Sequence, residues 1–253
     1  MTRVALVTGG GTGIGRATAL ALAADGYAVV VCGRRAQPLG ETVAEIERRA
    51  DASPGRGRAL AVPADLAVEE DAARVVREAV GAFGGLHVVV NNAGAIRRNI
   101  RLHEVDVDLW DEQIAINLRG PYLVLHAALP ELLHADGDRC IVNVASTLAV
   151  KPAPGIAPYA AAKGALIALT RALAVEYARD GIRCNVVLPA SVLTDLARTD
   201  RPNFDAEQLG AGYPMGRIGE PEDVAEAIRY LVSPGARWVT GAELEVDGGF
   251  TVT

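Results

Sequence analysis

The chain has 253 residues, of which 50% are hydrophobic and only 4% aromatic, and its formal net charge is −6. This composition suffices for a large aliphatic core of the kind that helices form over a parallel sheet. The negative charge argues against nucleic acid and against a membrane as partners, because both favour a basic protein face.

Three further sequence features narrow the class of protein. The sequence opens on a Val/Leu strand without a leader pattern, and no apolar run reaches the ~18 residues of a membrane span. The three cysteines form no Cys-x-x-Cys pair, which indicates reduced thiols. The four histidines lack the spacing of metal ligands, so no metal site is expected. These features predict a cytoplasmic protein.

Strand-like runs alternate with helical patterns along the whole chain. In chain order the predicted elements are a strand at 4–7, a helix at 14–24, a strand at 28–32, a helix at 38–50, a turn at 52–58, a strand at 59–62, a helix at 69–83, a strand at 86–90, a long helix at about 109–134, a strand at 140–144, a helix at about 158–179, a strand at 183–188, a helix at 222–232 and a strand at 243–246. This alternation predicts an α/β fold, a doubly wound sheet of about seven parallel strands with helices on both faces.

The domain organisation is predicted to be simple. No Ser-, Pro- or Gly-rich linker and no internal repeat divides residues 1–253, so one domain is expected to bind and act on its ligands. The exception to regularity is a polar stretch with weak periodicity at about 191–219. Long segments without firm structure usually carry function, and we expect a substrate loop there.

Glycines are concentrated between the first strand and the first helix. The backbone can turn sharply there and approach a pyrophosphate, which N–H groups at the helix start would hold. Ile14 and Arg16 stand where G-x-G-x-x-G requires its third glycine, and Arg16-Ala17 after Gly15 excludes a P-loop. A tight turn without a ligand therefore remains an alternative for this segment alone. Its candidate cofactor-binding residues are Gly9, Gly11, Thr12, Gly13, Ile14 and Gly15.

Small and polar residues follow two other predicted strands. Asn92, Ala93 and Gly94 end the fourth strand, and ligands of open α/β sheets bind at the carboxyl edge where such residues meet. Asp65 follows the third strand, with Leu66 beside it as a second cofactor candidate. The Asp65 carboxylate can accept from an adenine amino group, or it can cap a helix instead.

The end of the second strand bears on the identity of the cofactor. An NAD enzyme usually places a carboxylate there to hold the ribose 2′-hydroxyl. This chain has Gly33 at that place, followed by Arg34 and Arg35. A guanidinium without a competing carboxylate favours a 2′-phosphate, so NADP(H) is favoured and NAD(H) stays possible. Two solvated arginines without a ligand are the alternative.

A phenol and an ammonium are expected on one face of a helix, because Tyr159 and Lys163 stand four residues apart. A nearby ammonium stabilises a phenolate and lowers its pKa toward the working pH of a general acid/base. Ser146 follows the fifth strand at the same sheet edge and can donate to a substrate carbonyl oxygen. Asn117, in the long helix, can anchor a relay water, although a lone helix Asn is usually structural.

The chain resembles the short-chain dehydrogenase/reductase family over nearly its whole length. The motifs that carry the resemblance are Thr8-Gly-x-x-x-Gly13-x-Gly15, Asp65, Asn91-Asn92-Ala93-Gly94, Asn117, Ser146, Tyr159-x-x-x-Lys163 and the 186–194 segment. The resemblance implies a Rossmann-like single-domain fold and a homotetramer. It implies that Tyr159 is the general acid/base, that Lys163 lowers its pKa and binds the nicotinamide ribose, that Ser146 polarises the substrate oxygen, and that Asn117 holds a relay water.

The resemblance also implies a place for the nicotinamide carboxamide. Thr194, with the backbone near Val192 and Pro189, would contact it. The usual Pro-Gly of the family after the sixth strand is Pro189-Ala190 in this chain, and the added methyl group would either alter the geometry of the loop or narrow the pocket.

The residues expected to meet the substrate are mostly apolar, which suits a small-molecule ketone or secondary alcohol. These residues are Ala95, Ile96, Thr147, Leu148, Pro154, Ile156, Ala190 and the loop at 191–213. A 3-oxoacyl-carrier-protein reductase is one alternative, but Gly137 and Asp180 stand where such enzymes tend to have basic docking residues. A non-catalytic NADP-binding scaffold is the other alternative, and relatives of that kind generally lose the active-site Tyr or Lys.

Overall fold

A computed structural model describes residues 2–51, 58–199 and 204–253. Within these residues seven strands form one parallel sheet in the order β3-β2-β1-β4-β5-β6-β7. The strands are β1 Val4–Thr8, β2 Ala28–Gly33, β3 Ala59–Pro63, β4 Val88–Asn91, β5 Arg139–Val144, β6 Ile182–Pro189 and β7 Glu243–Val246. The predicted parallel sheet is confirmed.

Helices cover both faces of this sheet. They are α1 Gly13–Ala24, α2 Ala36–Asp51, α3 Glu69–Phe83, α4 Val107–Ile114, α5 Gly120–His134, α6 Ala157–Glu176, α7 Asp195–Thr199, α8 Ala206–Gly210 and α9 Pro221–Val232, as far as the described residues extend. Side chains of α1, α2 and α9 pack in one hydrophobic cluster, and those of α3, α5 and α6 pack in another. The doubly wound α/β architecture is confirmed.

The central strand shows why two cores form. Val4 and Leu6 of β1 belong to the cluster with α3 and α5, whereas Ala5 and Val7 belong to the cluster with α1 and α9. All four side chains are fully buried. Successive side chains of a strand point to opposite faces, so an uninterrupted apolar run is required where both faces are covered.

The sheet has a switch point beside β1. This strand pairs with β2 on one side and with β4 on the other, so the connections after β1 and after β4 lead to opposite faces of the sheet. A crevice opens at the carboxyl ends of two strands whose connections diverge in this way. The crevice lies where the glycine turn after β1 meets the segment after β4.

The long helix predicted at about 109–134 is interrupted, which corrects the sequence prediction. A π-helical turn, Ala115–Arg119, joins α4 to α5. Pro121 has no N–H to donate, so one α-helical bond is missing in this turn, and the Gly120 N–H bonds to the Ala115 oxygen instead. The helix also begins earlier than predicted, because the Asp106 carboxylate accepts from the Leu109 N–H at 2.7 Å and caps its start.

Other predicted boundaries shift modestly. The helix predicted at about 158–179 ends at Glu176, and a 3₁₀ turn, Ala178–Asp180, leads to Gly181, whose φ of +77° suits a glycine. The segment predicted as irregular at about 191–219 contains α7, α8 and a bridge between Val192 and Gly219, while 200–203 lie outside the described residues. The turn predicted at 52–58 also lies largely outside them. None of the described helices combines the length and apolarity needed to cross a bilayer.

Candidate active site

A cavity of about 890 Å³ opens at the carboxyl edge of the sheet and brings most of the sequence-predicted residues together. Among the cofactor-binding and catalytic candidates, Gly15 and Asn117 do not line it. The candidates that line it are Gly9, Gly11, Thr12, Gly13, Ile14, Arg34, Arg35, Asp65, Leu66, Asn92, Ala93, Gly94, Ser146, Tyr159, Lys163, Pro189, Val192 and Thr194.

The glycine turn forms one end of this cavity. Gly13 has a φ of +52°, which favours glycine, and a Cβ atom there would stand 2.8 Å from Thr194 Cγ2. A Cβ atom on Gly15 would stand only 2.2 Å from the carbonyl oxygen of Gly9. Gly15, at the start of α1, therefore lies too close to the preceding turn for any side chain at that position. Such a backbone cradle leaves N–H groups at a helix start facing the cavity, as an anionic group requires.

A hydrogen-bond network joins the glycine turn to the segment after β4. The Thr8 hydroxyl oxygen accepts from the N–H groups of Asn92 and Ala93, each at 2.9 Å. The Asn92 side-chain amide donates to the carbonyl oxygen of Thr8 at 2.9 Å. These bonds hold the two walls of the crevice together. No such role was predicted for Thr8 from the sequence. The signal was that Thr8 follows one predicted strand and Asn91-Asn92 follow another, and the carboxyl ends of parallel strands meet at one edge of the sheet.

The end of β2 lies against the same part of the cavity. Arg34 and Arg35 are exposed, and within the described ranges neither forms an ion pair. Gly33 contributes no side chain between Arg34 and the glycine turn; an added Cβ there would meet only Gly9 Cα, at 3.9 Å. The wall at this point is therefore cationic and unobstructed.

Asp65 takes part in a local turn after β3. Its carboxylate accepts from the Ala67 N–H at 3.1 Å, and its own N–H donates to the Asp71 carboxylate at 2.8 Å. The Asp65 carboxylate therefore closes a local turn before α3 but does not cap that helix, whose N-cap residue is Val68. It also remains exposed on the cavity wall.

Lys163 lies deep in the cavity wall. Only 3% of this residue is exposed, and its ammonium donates to the carbonyl oxygen of Val144 at 2.8 Å. Burial lowers the pKa of Lys163 from 10.5 to about 8. The Nζ atom stands 5.9 Å from the centroid of the Tyr159 ring. The structure thus places a cation beside the phenol, as the four-residue spacing on α6 predicts.

Ser146 begins the turn that follows β5. Its hydroxyl oxygen accepts from the Leu148 N–H at 3.1 Å, which leaves its hydrogen to be donated to another group. The next residue, Thr147, donates its hydroxyl to the carbonyl oxygen of Pro189 at 3.3 Å. That bond ties the serine turn to the end of β6.

Asn117 lies behind the cavity wall, on the π-helical turn. Its side-chain oxygen accepts from the Ala95 N–H at 3.1 Å, and its amide donates to the oxygens of Ala95 at 2.8 Å and Gln113 at 3.0 Å. The side chain thus holds the segment after β4. An atom placed at a Cβ position on Gly94 would stand 3.0 Å from Asn117 Oδ1 and 3.4 Å from Lys163 Nζ.

A buried polar chain fixes α6 against the sheet. The Asn91 amide donates to Asn143 Oδ1 at 3.0 Å, and the Asn143 amide donates to the Thr170 hydroxyl at 2.8 Å. All three residues are almost fully buried. Because Thr170 stands on the same helix as Tyr159 and Lys163, this chain sets the position of that helix relative to β4 and β5.

The far end of the cavity is lined mostly by apolar and aromatic side chains. Of the substrate residues predicted from the sequence, Ile96, Thr147, Leu148, Ala190 and parts of 191–213 line the cavity, whereas Ala95, Pro154 and Ile156 do not. Phe250 and Arg98 line it as well but were not predicted. Neither stands in a motif, and Phe250 gave no signal beyond being an aromatic residue after two glycines. No three His, Cys, Asp or Glu side chains gather to hold a metal ion within the part of the chain that the structure describes.

Known proteins resemble this chain over nearly its whole length, and hence over the residues at both ends of the cavity. A family model described as "Enoyl-(Acyl carrier protein) reductase" matches residues 9–251. The chain is 38% identical over 251 residues to a 4-formylbenzenesulfonate dehydrogenase of Comamonas testosteroni, covering 98% of this chain and 97% of that protein. It is 37% identical over 249 residues to a cyclohexanol dehydrogenase of an Acinetobacter species, covering 98% and 95% respectively.

The solved structures give a similar result. The chain matches the 3-ketoacyl-(acyl-carrier-protein) reductase from Brucella melitensis, complexed with NADH, with a TM-score of 0.89 and 34% identity, covering 98% of each chain. The match therefore includes the glycine turn, α6 and the apolar end of the cavity alike.

Proposed function

The chain belongs to the short-chain dehydrogenase/reductase family, and we propose that it is an oxidoreductase that interconverts a ketone and a secondary alcohol with a nicotinamide dinucleotide. One observation carries this proposal: Ser146, Tyr159 and Lys163 line the same cavity as the glycine turn. A proton-transfer set and a dinucleotide cradle share one space, as hydride transfer requires.

The residues of the glycine turn fit a dinucleotide. The cradle excludes any side chain at Gly15, so backbone N–H groups can approach a pyrophosphate closely. A bound nicotinamide supplies or accepts the hydride. Thr194 stands against Gly13 and, with Pro189 and Val192, would contact the carboxamide. We assign 191–219 as the substrate loop of a single catalytic domain.

The chain's own residues supply the proton. The Tyr159 phenol gives its proton to the substrate oxygen in reduction and takes it back in oxidation. The Ser146 hydroxyl donates to that same oxygen, because the serine oxygen already accepts from Leu148. The Lys163 ammonium, with a pKa of about 8, stabilises the phenolate near neutral pH. A phenol whose pKa lies near the working pH transfers a proton to and from the substrate oxygen most effectively.

Asn117 Oδ1 and Lys163 Nζ both approach Gly94, within 3.0 Å and 3.4 Å of the point where a Cβ atom would stand. We assign Asn117 a role in holding a relay water between it and Lys163, since the Asn117 side chain is fixed by Ala95 and Gln113. The relay would return a proton to Tyr159 after each turnover.

NADP(H) is the cofactor we propose, with NAD(H) as the alternative. Arg34 and Arg35 line the cavity where a 2′-phosphate would lie, and Gly33 puts no carboxylate there to repel it. The similar reductase from Brucella melitensis was solved with NADH, so a direct comparison of the two cofactors is required.

We further propose a homotetramer in the cytoplasm. Large apolar side chains lie open to solvent, among them Val107, Val175 and Trp238, which is 97% exposed. Contact with further copies would bury them. The three cysteines are buried free thiols, which suits a reducing compartment. Analytical ultracentrifugation would test the assembly, and a dilute monomer would contradict it.

Turnover with a panel of carbonyl compounds tests the proposed activity. Purified protein is incubated with NADPH or NADH and with ketones, aldehydes and acetoacetyl thioesters, and the loss of reduced nicotinamide is followed. Oxidation dependent on a free ketone is expected. Tight NADPH binding without turnover on any compound would favour the scaffold alternative. A strong preference for a carrier-linked thioester would favour the carrier-protein reductase.

A further inference from the structure

Lys151 links the serine turn to the last residues of the chain. Its backbone N–H donates to the carbonyl oxygen of Thr147, one residue after Ser146, at 2.8 Å. Its ammonium donates to the carbonyl oxygen of Phe250 at 2.8 Å and to a backbone oxygen of Thr253. The same ammonium lies 4.6 Å from the centroid of the Phe250 ring. The Lys151 ammonium therefore contacts both the backbone and the ring of Phe250.

Phe250 and a second ring form one surface in the cavity. Phe250 stacks on Tyr213 with the ring centroids 5.3 Å apart and the planes at 28°. Both rings line the cavity that contains Ser146 and Tyr159. We name this pair, Tyr213 and Phe250, the aromatic wall. The Tyr213 hydroxyl oxygen accepts from the Ser191 N–H at 3.2 Å, which joins the wall to the segment after β6.

The turn that carries Phe250 is also fixed from its own side. The Asp247 carboxylate accepts from the N–H groups of Gly249 at 2.9 Å and Thr251 at 2.7 Å, and from the Thr251 hydroxyl at 2.6 Å. Burial alone would raise the pKa of Asp247, but these hydrogen bonds outweigh it and hold the pKa below its ordinary value. Phe250 is thus held between Asp247 and Lys151, and it presents a rigid face to the cavity.

The choice of lysine at position 151 is itself unusual in this chain. Of 25 basic residues, 151 and 163 are the only lysines, and the other 23 are arginines. An ammonium carries three donors on a compact charge, which matches two carbonyl oxygens and a ring face at one point. Both lysines of the chain therefore serve the same cavity, one at its catalytic wall and one behind its aromatic wall.

We propose that Lys151 is a positioning residue that holds the aromatic wall in place, and that this wall selects substrates whose reacting carbon belongs to, or is attached to, a ring. The inference rests on the proposed function and names its substrate class. A ring lays a flat face against the stacked side chains and has few torsions to lose on binding. A linear chain with the same number of carbons meets the wall with less contact and loses more conformational freedom.

Paired substrates of equal carbon number test the selection. We expect kcat/KM for cyclohexanone to exceed that for hexan-2-one at least about tenfold in the wild-type protein, which corresponds to ~1.4 kcal/mol. Phe250→Leu keeps an apolar side chain without the ring, and it should bring this ratio to within about threefold, chiefly through KM of cyclohexanone. Phe83→Leu, the same substitution at a phenylalanine that does not line the cavity, should leave the ratio unchanged.

Variants of Lys151 test the positioning role. Lys151→Met removes the charge and its donors, and should lower the ratio in the same direction as Phe250→Leu, with a higher KM for cyclohexanone. Lys151→Arg keeps a cation with several donors and should restore the ratio in part, an outcome that loss of general stability would not produce. Arg179→Met is the matched removal of an exposed remote cation and should have no effect. A ratio unmoved by Phe250→Leu, or a wild-type preference for hexan-2-one, would overturn the inference.

A binding measurement keeps this result separate from the proposed activity. Saturation-transfer difference NMR is recorded with cyclohexanone and hexan-2-one together, in the presence of oxidised NADP, so that no turnover is needed. Stronger saturation of the ring protons is expected in the wild-type protein, and its loss in Phe250→Leu. Equal saturation of both ketones would reject the aromatic wall as a selector even if turnover is normal. Absent turnover with ring saturation intact would reject the proposed function alone.

Discussion

The two ends of the cavity differ in whether backbone or side chains form most of the wall. The proposed dinucleotide end is formed largely by backbone: a turn in which Gly13 and Gly15 have no room for side chains, tied to Asn92 through Thr8. The substrate end consists of side chains, with Leu148, Tyr213 and Phe250 arriving from distant parts of the chain. A backbone cradle tolerates almost no substitution, whereas a side-chain wall can change one residue at a time. The first end therefore suits a constant ligand, and the second suits a variable one.

The largest effect is expected at Gly15, where the start of α1 lies against the backbone of the glycine turn. Gly15→Ala would put a methyl group 2.2 Å from the Gly9 oxygen, so the start of α1 must move away from the turn. We expect a loss of about 3 kcal/mol or more in the free energy of unfolding, as for other severe steric changes, and no measurable NADPH binding. Urea unfolding and calorimetry would measure both.

Gly81→Ala is the matched control for that substitution. Gly81 lies inside α3, and a Cβ atom there meets nothing within 4 Å. Alanine should raise the free energy of unfolding by about 0.5–1 kcal/mol, because glycine is costly inside a helix. Equal behaviour of the two variants would contradict the description of the glycine turn as a close-packed cradle.

A smaller change is expected at the cationic edge of the dinucleotide end. Arg34→Asp removes a guanidinium and adds a charge that repels a 2′-phosphate. The ratio of kcat/KM for NADPH over NADH should fall about a hundredfold, which corresponds to two charge-assisted contacts. Arg179→Asp, remote and exposed, should leave the ratio unaltered. An unchanged ratio in Arg34→Asp would refute the phosphate role.

The relay position between the two ends gives a more modest effect. Gly94→Ala would put a methyl group 3.0 Å from Asn117 Oδ1 and 3.4 Å from Lys163 Nζ, and so crowd the two groups that would flank the relay water. We expect kcat to fall about tenfold, less than the loss of a general acid or base would cause, while the Kd for NADPH changes less than about threefold. Normal kcat at all pH values would argue against a relay at this point.

The smallest expected effect concerns the pKa of one group, the Lys163 ammonium. Two lysines make the chain suitable for ¹³C labelling at lysine Cε, and in Lys151→Arg the single remaining resonance belongs to Lys163. Without cofactor it should titrate with a midpoint of about 8, because burial disfavours the charged form. Between about pH 8 and pH 10.5 the unfolded chain binds more protons at this group than the folded chain does. The cost of burying the ammonium is therefore relieved, and the free energy of unfolding rises, as the pH increases across that window. A midpoint near 10.5 would contradict the burial of the ammonium.

The difference between the two ends also explains how far the sequence could be interpreted. The strands were predictable because both faces of the sheet are covered, so β1 and its neighbours are uninterrupted apolar runs. Ser146, Asn92 and the glycine turn were predictable as neighbours because parallel strands end at one edge. The break at Ala115–Arg119 was missed, since one missing N–H at Pro121 leaves the helical periodicity intact.

The substrate end was less accessible to sequence reasoning. The contact between Lys151 and Phe250 joins residues 99 positions apart, and no local spacing predicts it. Arg98 and Phe250 likewise reach the cavity only through the packing of loops. Contacts of this kind depend on side-chain volume and loop path, which periodicity and motif spacing do not encode.

The central claim is that Tyr159 moves the proton in a cavity shared with a dinucleotide, and the substitution Tyr159→Phe tests it most directly. Removing one oxygen leaves the ring and α6 in place, so NADPH affinity should stay within about threefold of wild type. The kcat for ketone reduction should fall about a thousandfold, within the range of general acid–base catalysis. Tyr122→Phe, an exposed tyrosine on α5, should retain full turnover. A Tyr159→Phe variant with kcat within about tenfold of wild type would contradict the account.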